Sequence, residues 1–360
     1  MQLHWDIFCR VVDNFGDIGV CWRLARQLSV EHGRQVRLWV DDLPSLKALA
    51  PGLNSSADQQ FCQGVEVCRW RDNSNFDSPA EVVVEAFACD LPEDYVRLMA
   101  SVTPKPCWVN LEYLTAETWA EGCHGIASPH PSLPLSKYFF FPGFSAQSGG
   151  LLREHNVLFE RTQSVLPSHN GEPLEISLFC YDSAPVDQLI DAWANTACPM
   201  CCRVTSGKAL LAVSDYLGGA GPWRRGSASI EPMAFVPQDD YDRLLRRCSI
   251  NFVRGEDSLI RALWAGKPFV WQIYQQADDA HLVKLSAFLD RYCDGGDDAA
   301  MRAIRQMFLA WNTGTNVGAA WTGFIEHLPA IMRHTQRWTR QLAAQTDLAT
   351  ALVNFCASKV

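Results

Sequence analysis

Short apolar runs alternate with helix-like stretches along both halves of the chain. The first half opens with the apolar run WDIFCRVV, continues with the helix-like VCWRLARQLSVEHG and repeats the pattern from QVRLWVDD onward. The second half repeats it between LEISLFCY and PFVWQIY. Most apolar runs lack the alternation of a half-exposed strand, which indicates strands buried on both faces. The pattern predicts an α/β chain with parallel sheets covered by helices.

Two polar breaks divide this pattern. Residues 128–150, SPHPSLPLSKYFFFPGFSAQSGG, are rich in Pro, Ser, Gly and aromatic residues and predict a long loop. This loop could close over a ligand or brace the domain, and the sequence favours neither role. Residues 166–173, LPSHNGEP, have the composition of a linker. Since 360 residues suit two domains, we predict an α/β domain over 1–165 and a second over 174–332.

The last segment, residues 333–360, has an amphipathic pattern. We predict one long helix there, which could pack back on the first domain. Its apolar residues on or near one face are Trp338, Leu342, Leu348, Leu352 and Phe355. Two α/β halves joined by a linker predict ligands bound between them, at the carboxyl ends of the strands.

Charge and hydropathy exclude several classes of partner. The formal net charge is −9, whereas proteins that bind nucleic acid usually carry a basic face. A basic protein partner is therefore expected and a nucleic acid is not. No apolar run reaches the ~18 residues of a membrane span. The first ten residues, MQLHWDIFCR, lack a secretory signal, so we expect a soluble, cytoplasmic protein.

Fourteen cysteines are spread mostly singly through apolar segments. This distribution predicts reduced core residues rather than a disulfide framework. One cluster, CPMCC at 198–202, contains a CxxC, but no second pair follows at zinc spacing. We predict no metal site, and the sequence leaves the role of Cys198, Cys201 and Cys202 open.

The segment NFVRGEDSLIRALWAGKPFVWQIY reads as a buried strand, a tight turn and a helix. Gly255 permits the turn, and we predict Asp257 as the N-cap and Gly266 as the C-terminal cap. The main-chain N–H groups from about Ser258 onward then form a site for a diphosphate, with Arg254 as the balancing cation. The alternative is an ordinary turn of the kind that α/β proteins contain.

In that turn, Glu256 and Asp257 would repel a diphosphate if their carboxylates faced it. We therefore expect both carboxylates to point elsewhere, with Glu256 accepting hydrogen bonds from sugar hydroxyls.

Two other strand ends in the second half carry aromatic and amide side chains. Phe179 and Tyr181 follow one predicted strand, and Phe235 and Gln238 follow another. A planar base could stack on a ring while an amide reads its edge. The alternative interpretation places Phe179 and Phe235 in the core.

The first half contains DNFGDIG at a predicted strand-to-helix turn. The dinucleotide fingerprint GxGxxG is absent, and Asp13 and Asp17 would repel a phosphate, so this turn should hold a neutral or cationic group. Asp17 could be a helix cap, or it could be a general base.

Together these segments resemble the EarP family, protein-arginine rhamnosyltransferases that modify elongation factor P. The segments that carry the resemblance are WDIFCRVVDNFGDIGVCWRLARQL, NLEYL, SLFCY, FVPQDDYDRLL and NFVRGEDSLIRALWAGKPFVWQIY. The resemblance implies a GT-B glycosyltransferase with two Rossmann-like domains facing a cleft. It also implies an inverting mechanism, dTDP-β-L-rhamnose as donor and one arginine of elongation factor P as acceptor, which is thereby activated to rescue ribosomes stalled at polyproline.

The resemblance also assigns roles to residues. It implies a catalytic Asp17 assisted by Asp13 in the acceptor-side domain, and a donor site in the second domain. The nucleotide contacts would be Phe179, Tyr181, Phe235 and Gln238, and the diphosphate and sugar contacts Arg254, Glu256, Asp257 and Ser258. By location alone, Asn14, Phe15 and Glu112 would face the acceptor. No cofactor or metal is expected. The alternatives are a GT-B transferase with another sugar nucleotide or acceptor, and a non-catalytic module that binds a basic protein.

Overall fold

The computed structural model describes residues 3–12, 15–71, 74–158, 173–296 and 298–359. The chain divides into two compact units. One comprises Met1–His155 with Leu342–Val360, and the other comprises Asn156–Gln341. Most of the predicted linker, residues 166–172, and the predicted boundary at 165 lie outside the described residues.

The first unit is built around a mostly parallel sheet. In chain order its elements are β1 (His4–Cys9), α1 (Gly16–Val30), β2 (Gln35–Val40), α2 (Leu43–Leu49), β3 (Gln59–Cys62), β4 (Val65–Arg69), β5 (Val82–Ala86), α3 (Glu93–Ser101), β6 (Cys107–Leu111), α4 (Trp119–Cys123), β7 (Ala127–Pro129) and β8 (Ser136–Phe140). The described strands pair in the order β3-β4-β2-β1-β5-β6-β8-β7. Within this order, β3 and β7 run antiparallel to their neighbours, and the other pairs are parallel.

The second unit repeats this architecture. Its elements are β9 (Leu174–Leu178), α5 (Val186–Ala194), β10 (Met200–Val204), α6 (Lys208–Leu217), β11 (Trp223–Arg225), β12 (Ala228–Pro232), α7 (Gln238–Arg247), β13 (Ile250–Arg254), α8 (Glu256–Ala265), β14 (Phe269–Gln272), a 3-10 turn (Ala277–Asp279), α9 (Ala280–Tyr292), α10 (Asp298–Thr313), α11 (Val317–Glu326) and α12 (Leu328–Ala343). The described strands pair in the order β11-β12-β10-β9-β13-β14, all parallel except β11 with β12.

Both faces of the first sheet are buried, as the unalternating apolar runs predict. Ile7 of β1 and Val84 of β5 belong to one buried cluster, which includes side chains of α1 and α2. Their neighbours Phe8 and Val83 belong to a second cluster, which includes side chains of α3. Because successive side chains of a strand point to opposite faces, the sheet has a core on each side.

The predicted loop over 128–150 is wrong in part. Residues Ser136–Phe140 form β8, which pairs in parallel with β6 and antiparallel with β7. The run KYFFF has the aromatic content that favours a strand, whereas the flanking Pro and Ser residues gave the segment its loop-like composition.

The predicted single C-terminal helix is also wrong. The structure divides it into α12 and α13 (Leu348–Ala357), and Asp347 caps the start of α13. Asp347 Oδ1 accepts the Thr350 N–H at 3.0 Å, because a short carboxylate at this position satisfies a helix donor that has no partner of its own. Leu348 and Leu352 of α13 lie in the buried cluster of the first unit.

We predict that Asp347→Ala lowers the free energy of unfolding by about 1 to 2 kcal/mol, because the first turn of α13 loses its cap and the Gln27 amide loses an acceptor at 3.1 Å. Chemical denaturation of the two proteins measures the difference. Asp42→Ala is the comparison variant, since Asp42 caps α2 through the Ser45 N–H. We expect it to lower the free energy of unfolding by about 1 kcal/mol, the usual cost of a lost cap. An Asp347 variant as stable as the parent would show that this cap contributes nothing to stability.

Candidate active site

Asp17 lies where β1 leads into α1, at the carboxyl edge of the first sheet. The helix begins at Gly16, and Asp17 is inside its first turn with 4% of its surface exposed. Its Oδ2 accepts the Val12 N–H at 3.0 Å. The interpretation of Asp17 as the N-cap is therefore wrong, because the capping position is occupied by Phe15. A helix N-terminus stabilises the negative charge of such a carboxylate.

The other predicted acceptor-side residues give a mixed outcome. Asp13 and Asn14 lie outside the described residues. Phe15 is partly buried and packs against the core of the first unit. Glu112 directly follows β6 and is partly buried. Its carboxylate accepts a hydrogen bond from the Asn110 amide, and burial raises the pKa of Glu112. Since β1 and β6 are both parallel to β5, the structure brings Asp17 and Glu112 to the same edge of the sheet.

Two aromatic residues at this edge escaped the sequence analysis. Phe87 follows β5 and Tyr113 follows β6, and their rings stack with centroids 4.6 Å apart. Phe87 and Ala88 have positive φ angles of 57° and 51°, which non-glycine residues seldom adopt outside functional or strained turns. In the sequence, EAF and LEY lie at the ends of two predicted strands, and this position is the signal that could have identified Phe87 and Tyr113. The positive φ angles cannot be read from the sequence.

In the second unit, the predicted diphosphate-binding arginine contacts the predicted nucleotide-binding aromatics. Arg254 ends β13 and is 8% exposed. Its guanidinium carbon lies 4.5 Å from the ring centroid of Phe179 and 4.4 Å from that of Tyr181. Both distances are within the range of a cation–π interaction, so the two rings restrict where the cation can point.

The turn after Arg254 is tight, as predicted, but its cap differs from the prediction. Gly255 has φ of +65° and occupies the N-cap position of α8, which begins at Glu256. Asp257 is inside the first turn, so its predicted role as N-cap is wrong. Glycine is accepted at this position because it tolerates the left-handed backbone without a steric cost. The first N–H groups of α8 still have no carbonyl partner within the helix.

The polar side chains of this turn make specific contacts. Asp257 Oδ2 accepts from Gln238 Nε2 at 3.4 Å, which directs that carboxylate toward the start of α7. Ser258 is 6% exposed, and its hydroxyl donates to the main-chain oxygen of Arg254. The resemblance implies that Ser258 contacts the diphosphate and sugar, but in the structure its hydroxyl donates to the protein main chain.

The two predicted phenylalanines differ in exposure. Phe235 is 44% exposed, so the alternative that places it in the core is wrong. Phe179 is partly buried and contacts Tyr241 edge to face, with ring centroids 5.7 Å apart. Burial and the charge of Asp257 raise the pKa of Tyr241, which keeps its hydroxyl neutral.

The described residues contain no cluster of the side chains that usually bind metal ions. Within those ranges, no group of three or more His, Cys, Asp or Glu side chains could hold a metal ion.

All fourteen cysteines lie in the described ranges and are free. Ten of them are buried, so the predicted core placement is confirmed for those ten. Burial raises the pKa of Cys180 to about 12. None of the described helices is long and apolar enough to cross a membrane.

Comparisons with known proteins agree with this architecture. The family model of the elongation-factor-P (EF-P) rhamnosyltransferase EarP matches residues 5–357. The chain is 45% identical over 374 residues to a protein-arginine rhamnosyltransferase of Pseudomonas putida, with 99% of each chain covered. It is 42% identical over 372 residues to that of Pseudomonas aeruginosa, with 98% of each covered.

A solved structure described as the structural basis for EarP-mediated arginine glycosylation of translation elongation factor EF-P matches the whole fold. It is 34% identical, has a TM-score of 0.69, and the match covers 100% of both chains. The predicted fold class is thereby confirmed as α/β with GT-B glycosyltransferase architecture, built from two Rossmann-like units. The family model, the curated relatives and the solved structure agree that the chain belongs to the EarP family of EF-P rhamnosyltransferases, which are glycosyltransferases.

Proposed function

We propose that this enzyme transfers L-rhamnose from dTDP-β-L-rhamnose to one arginine side chain of elongation factor P, with inversion at the anomeric carbon. The modified factor would then be active in rescuing ribosomes stalled at polyproline, and the enzyme would work in the cytoplasm with it. Family membership supports the transferase activity and the protein acceptor. The donor, the inversion and the residue roles are our proposals.

One observation carries the assignment of roles: a buried carboxylate lies at the carboxyl edge of the first sheet and a buried guanidinium lies at that of the second. The first unit holds the Asp17 carboxylate in the first turn of α1. The second holds the Arg254 guanidinium just before the N-terminus of α8. The carboxylate suits the cationic arginine of the acceptor, and the cation with the helix N-terminus suits the diphosphate of the donor.

An arginine side chain is a poor nucleophile because its pKa is above about 12 and it stays protonated. In the proposed step, the Asp17 carboxylate orients the guanidinium while one nitrogen attacks the anomeric carbon. The N–C bond forms as the bond between that carbon and the diphosphate oxygen breaks, and the electron pair leaves with the diphosphate. The nitrogen loses its proton to Asp17 late in this displacement, so Asp17 acts as general base. Asp13 would add negative potential beside it.

On the donor side, Arg254 and the first N–H groups of α8 would stabilise the charge that develops on the leaving diphosphate. Phe179 and Phe235 would provide ring faces for the base, and Gln238 would read its edge. Glu256 would accept hydrogen bonds from the sugar. Attack from the face opposite the leaving group inverts the anomeric centre. We expect no metal requirement, since a fixed cation and a helix N-terminus already meet the negative charge.

Mass spectrometry tests this function directly. The enzyme is incubated with dTDP-β-L-rhamnose and elongation factor P, and the products are searched for one added deoxyhexose on an arginine. Elongation factor P with that arginine replaced by lysine is the control and should stay unmodified. Binding of the factor without transfer would favour a non-catalytic module.

Nucleotide selectivity separates the proposal from a GT-B transferase with another donor. Thermal unfolding is measured with dTDP, UDP and GDP. We expect dTDP to raise the melting temperature most, since at equal concentration the ligand that binds the folded state most tightly stabilises it most. A larger shift with UDP or GDP would point to another sugar nucleotide.

A further inference from the structure

Gln272 ties strand β14 to the turn after β9, one of the two turns of the proposed donor site. It ends β14, is 3% exposed, and lies opposite Arg254 in the parallel register of β13 and β14. Its Oε1 accepts the Tyr181 N–H at 2.8 Å, and its Nε2 donates to Ser183 Oγ at 3.3 Å. Since β13 lies between β9 and β14, this side chain fastens the outer strand to the turn after β9.

The end of β14 is itself held in place from α10. Asn312 Oδ1 accepts the Ile273 N–H at 2.9 Å, and Asn312 Nδ2 donates to the Trp271 main-chain oxygen at 2.8 Å. The Trp271 indole then donates to the main-chain oxygen of Gly255 at 3.0 Å. Thus β14 is a fixed point from which both the β9 turn and the turn before α8 are positioned.

The position of the Tyr181 main chain decides where its ring lies. That ring and the ring of Phe179 flank the Arg254 guanidinium at 4.4 and 4.5 Å. A buried N–H that loses its acceptor carries a desolvation penalty, so the turn would shift to find another partner. Such a shift would move the Tyr181 ring, whereas Phe179 is held separately because its N–H donates to the Phe252 main-chain oxygen at 3.0 Å.

We propose that Gln272 is a positioning residue for the donor site. By fixing the Tyr181 main chain it keeps the Tyr181 ring against Arg254, and the guanidinium is thereby preset for the leaving diphosphate. This inference rests on the proposed function, because it takes the Arg254 cluster as the nucleotide site. Nothing in the local sequence around WQIY indicates the role, since the partner lies 91 residues away in the chain.

Gln272→Met tests the role, because methionine keeps the volume and removes the acceptor. We expect dTDP to bind about tenfold more weakly by calorimetry, the size of one lost buried hydrogen bond. The KM for the donor should rise by a similar factor with little change in kcat. Gln272→Asn keeps an amide but is one methylene shorter, and it should weaken dTDP binding in the same direction if the methionine variant does not fold.

Gln188→Met is the matched control. Gln188 lies on α5, and its amide donates to the Gly314 main-chain oxygen at 2.8 Å, so the substitution also removes one contact between an amide and the main chain. We expect unchanged dTDP affinity in this variant. Thermal unfolding without nucleotide reports any general loss of stability in both variants.

A double-mutant cycle separates positioning from a general structural effect. Tyr181→Ala removes the ring through which Gln272 acts, so adding Gln272→Met to it should weaken dTDP binding by less than about threefold further. Two independent effects would multiply and would overturn the inference. So would a Gln272→Met enzyme with the dTDP affinity of the parent. If the parent enzyme itself does not bind dTDP, the proposed function fails instead.

Discussion

Asp17→Asn is expected to reduce rhamnosyl transfer to elongation factor P by about 10²- to 10⁴-fold, the usual contribution of a general base. The amide can still accept the Val12 N–H through its oxygen, so the start of α1 should keep its structure. It cannot take a proton from the guanidinium or attract its charge. Initial rates of transfer at saturating donor measure the effect, and dTDP affinity should stay within about twofold of the parent value.

Asp41→Asn is the matched control for this variant. Asp41 follows β2 at the same edge of the sheet, and its Oδ1 accepts the neighbouring Val11 N–H at 2.9 Å. The two aspartates therefore lie at the same sheet edge, and each accepts one main-chain N–H. Only Asp17 has a proposed role in proton transfer. We expect Asp41→Asn to keep its turnover. Equal losses in both variants, or full activity of Asp17→Asn, would exclude the base role.

Arg254→Ala is expected to weaken dTDP binding by about 100-fold, roughly 3 kcal/mol, because the diphosphate loses a charge-assisted contact that two rings hold in place. Arg254→Lys should bind with intermediate affinity, since it keeps the charge but loses the planar fork that stacks on Phe179 and Tyr181. Calorimetric titration at two salt concentrations checks this. The parent should lose more affinity in high salt than Arg254→Ala does.

Arg243→Ala is the control for a general loss of positive charge in the second unit. Arg243 is an exposed residue of α7 that pairs with Asp240 three residues earlier. Its removal changes the net charge by the same amount as Arg254→Ala, and we expect dTDP affinity within about twofold of the parent. An affinity loss of similar size in the two variants would mean that long-range charge, and not the Arg254 contact, holds the nucleotide.

The sequence predicted the two sheets and the strand-to-helix turns well, because burial of a parallel strand leaves a direct trace in its apolar run. Errors arose at helix starts, where a single residue decides the local structure. Asp257 has the side chain of a cap, yet Gly255 takes the capping position because the backbone there is left-handed. Asp347 lies in an amphipathic pattern that suggests one helix, yet its carboxylate starts a new one. The first outcome depends on the backbone angle at Gly255 and the second on the contact of the Asp347 carboxylate with the Thr350 N–H, and the local sequence pattern shows neither.

The site was predictable as a set of strand ends but not as a set of contacts. Parallel strands bring their carboxyl ends to one edge, so Phe179 and Arg254 could be placed near each other from topology. The stacking of the rings on the guanidinium depends on side-chain directions that no local pattern contains. The link from Gln272 to Tyr181 and the left-handed turn at Phe87 are likewise products of tertiary packing.

A crystal structure of the complex with dTDP tests the division of charge between the two units most directly. We predict that the diphosphate lies against the Arg254 guanidinium and the first N–H groups of α8, with no nucleotide atom on the Asp17 carboxylate. Nucleotide bound in the first unit, with its phosphates beside Asp17 and away from Arg254, would contradict the account.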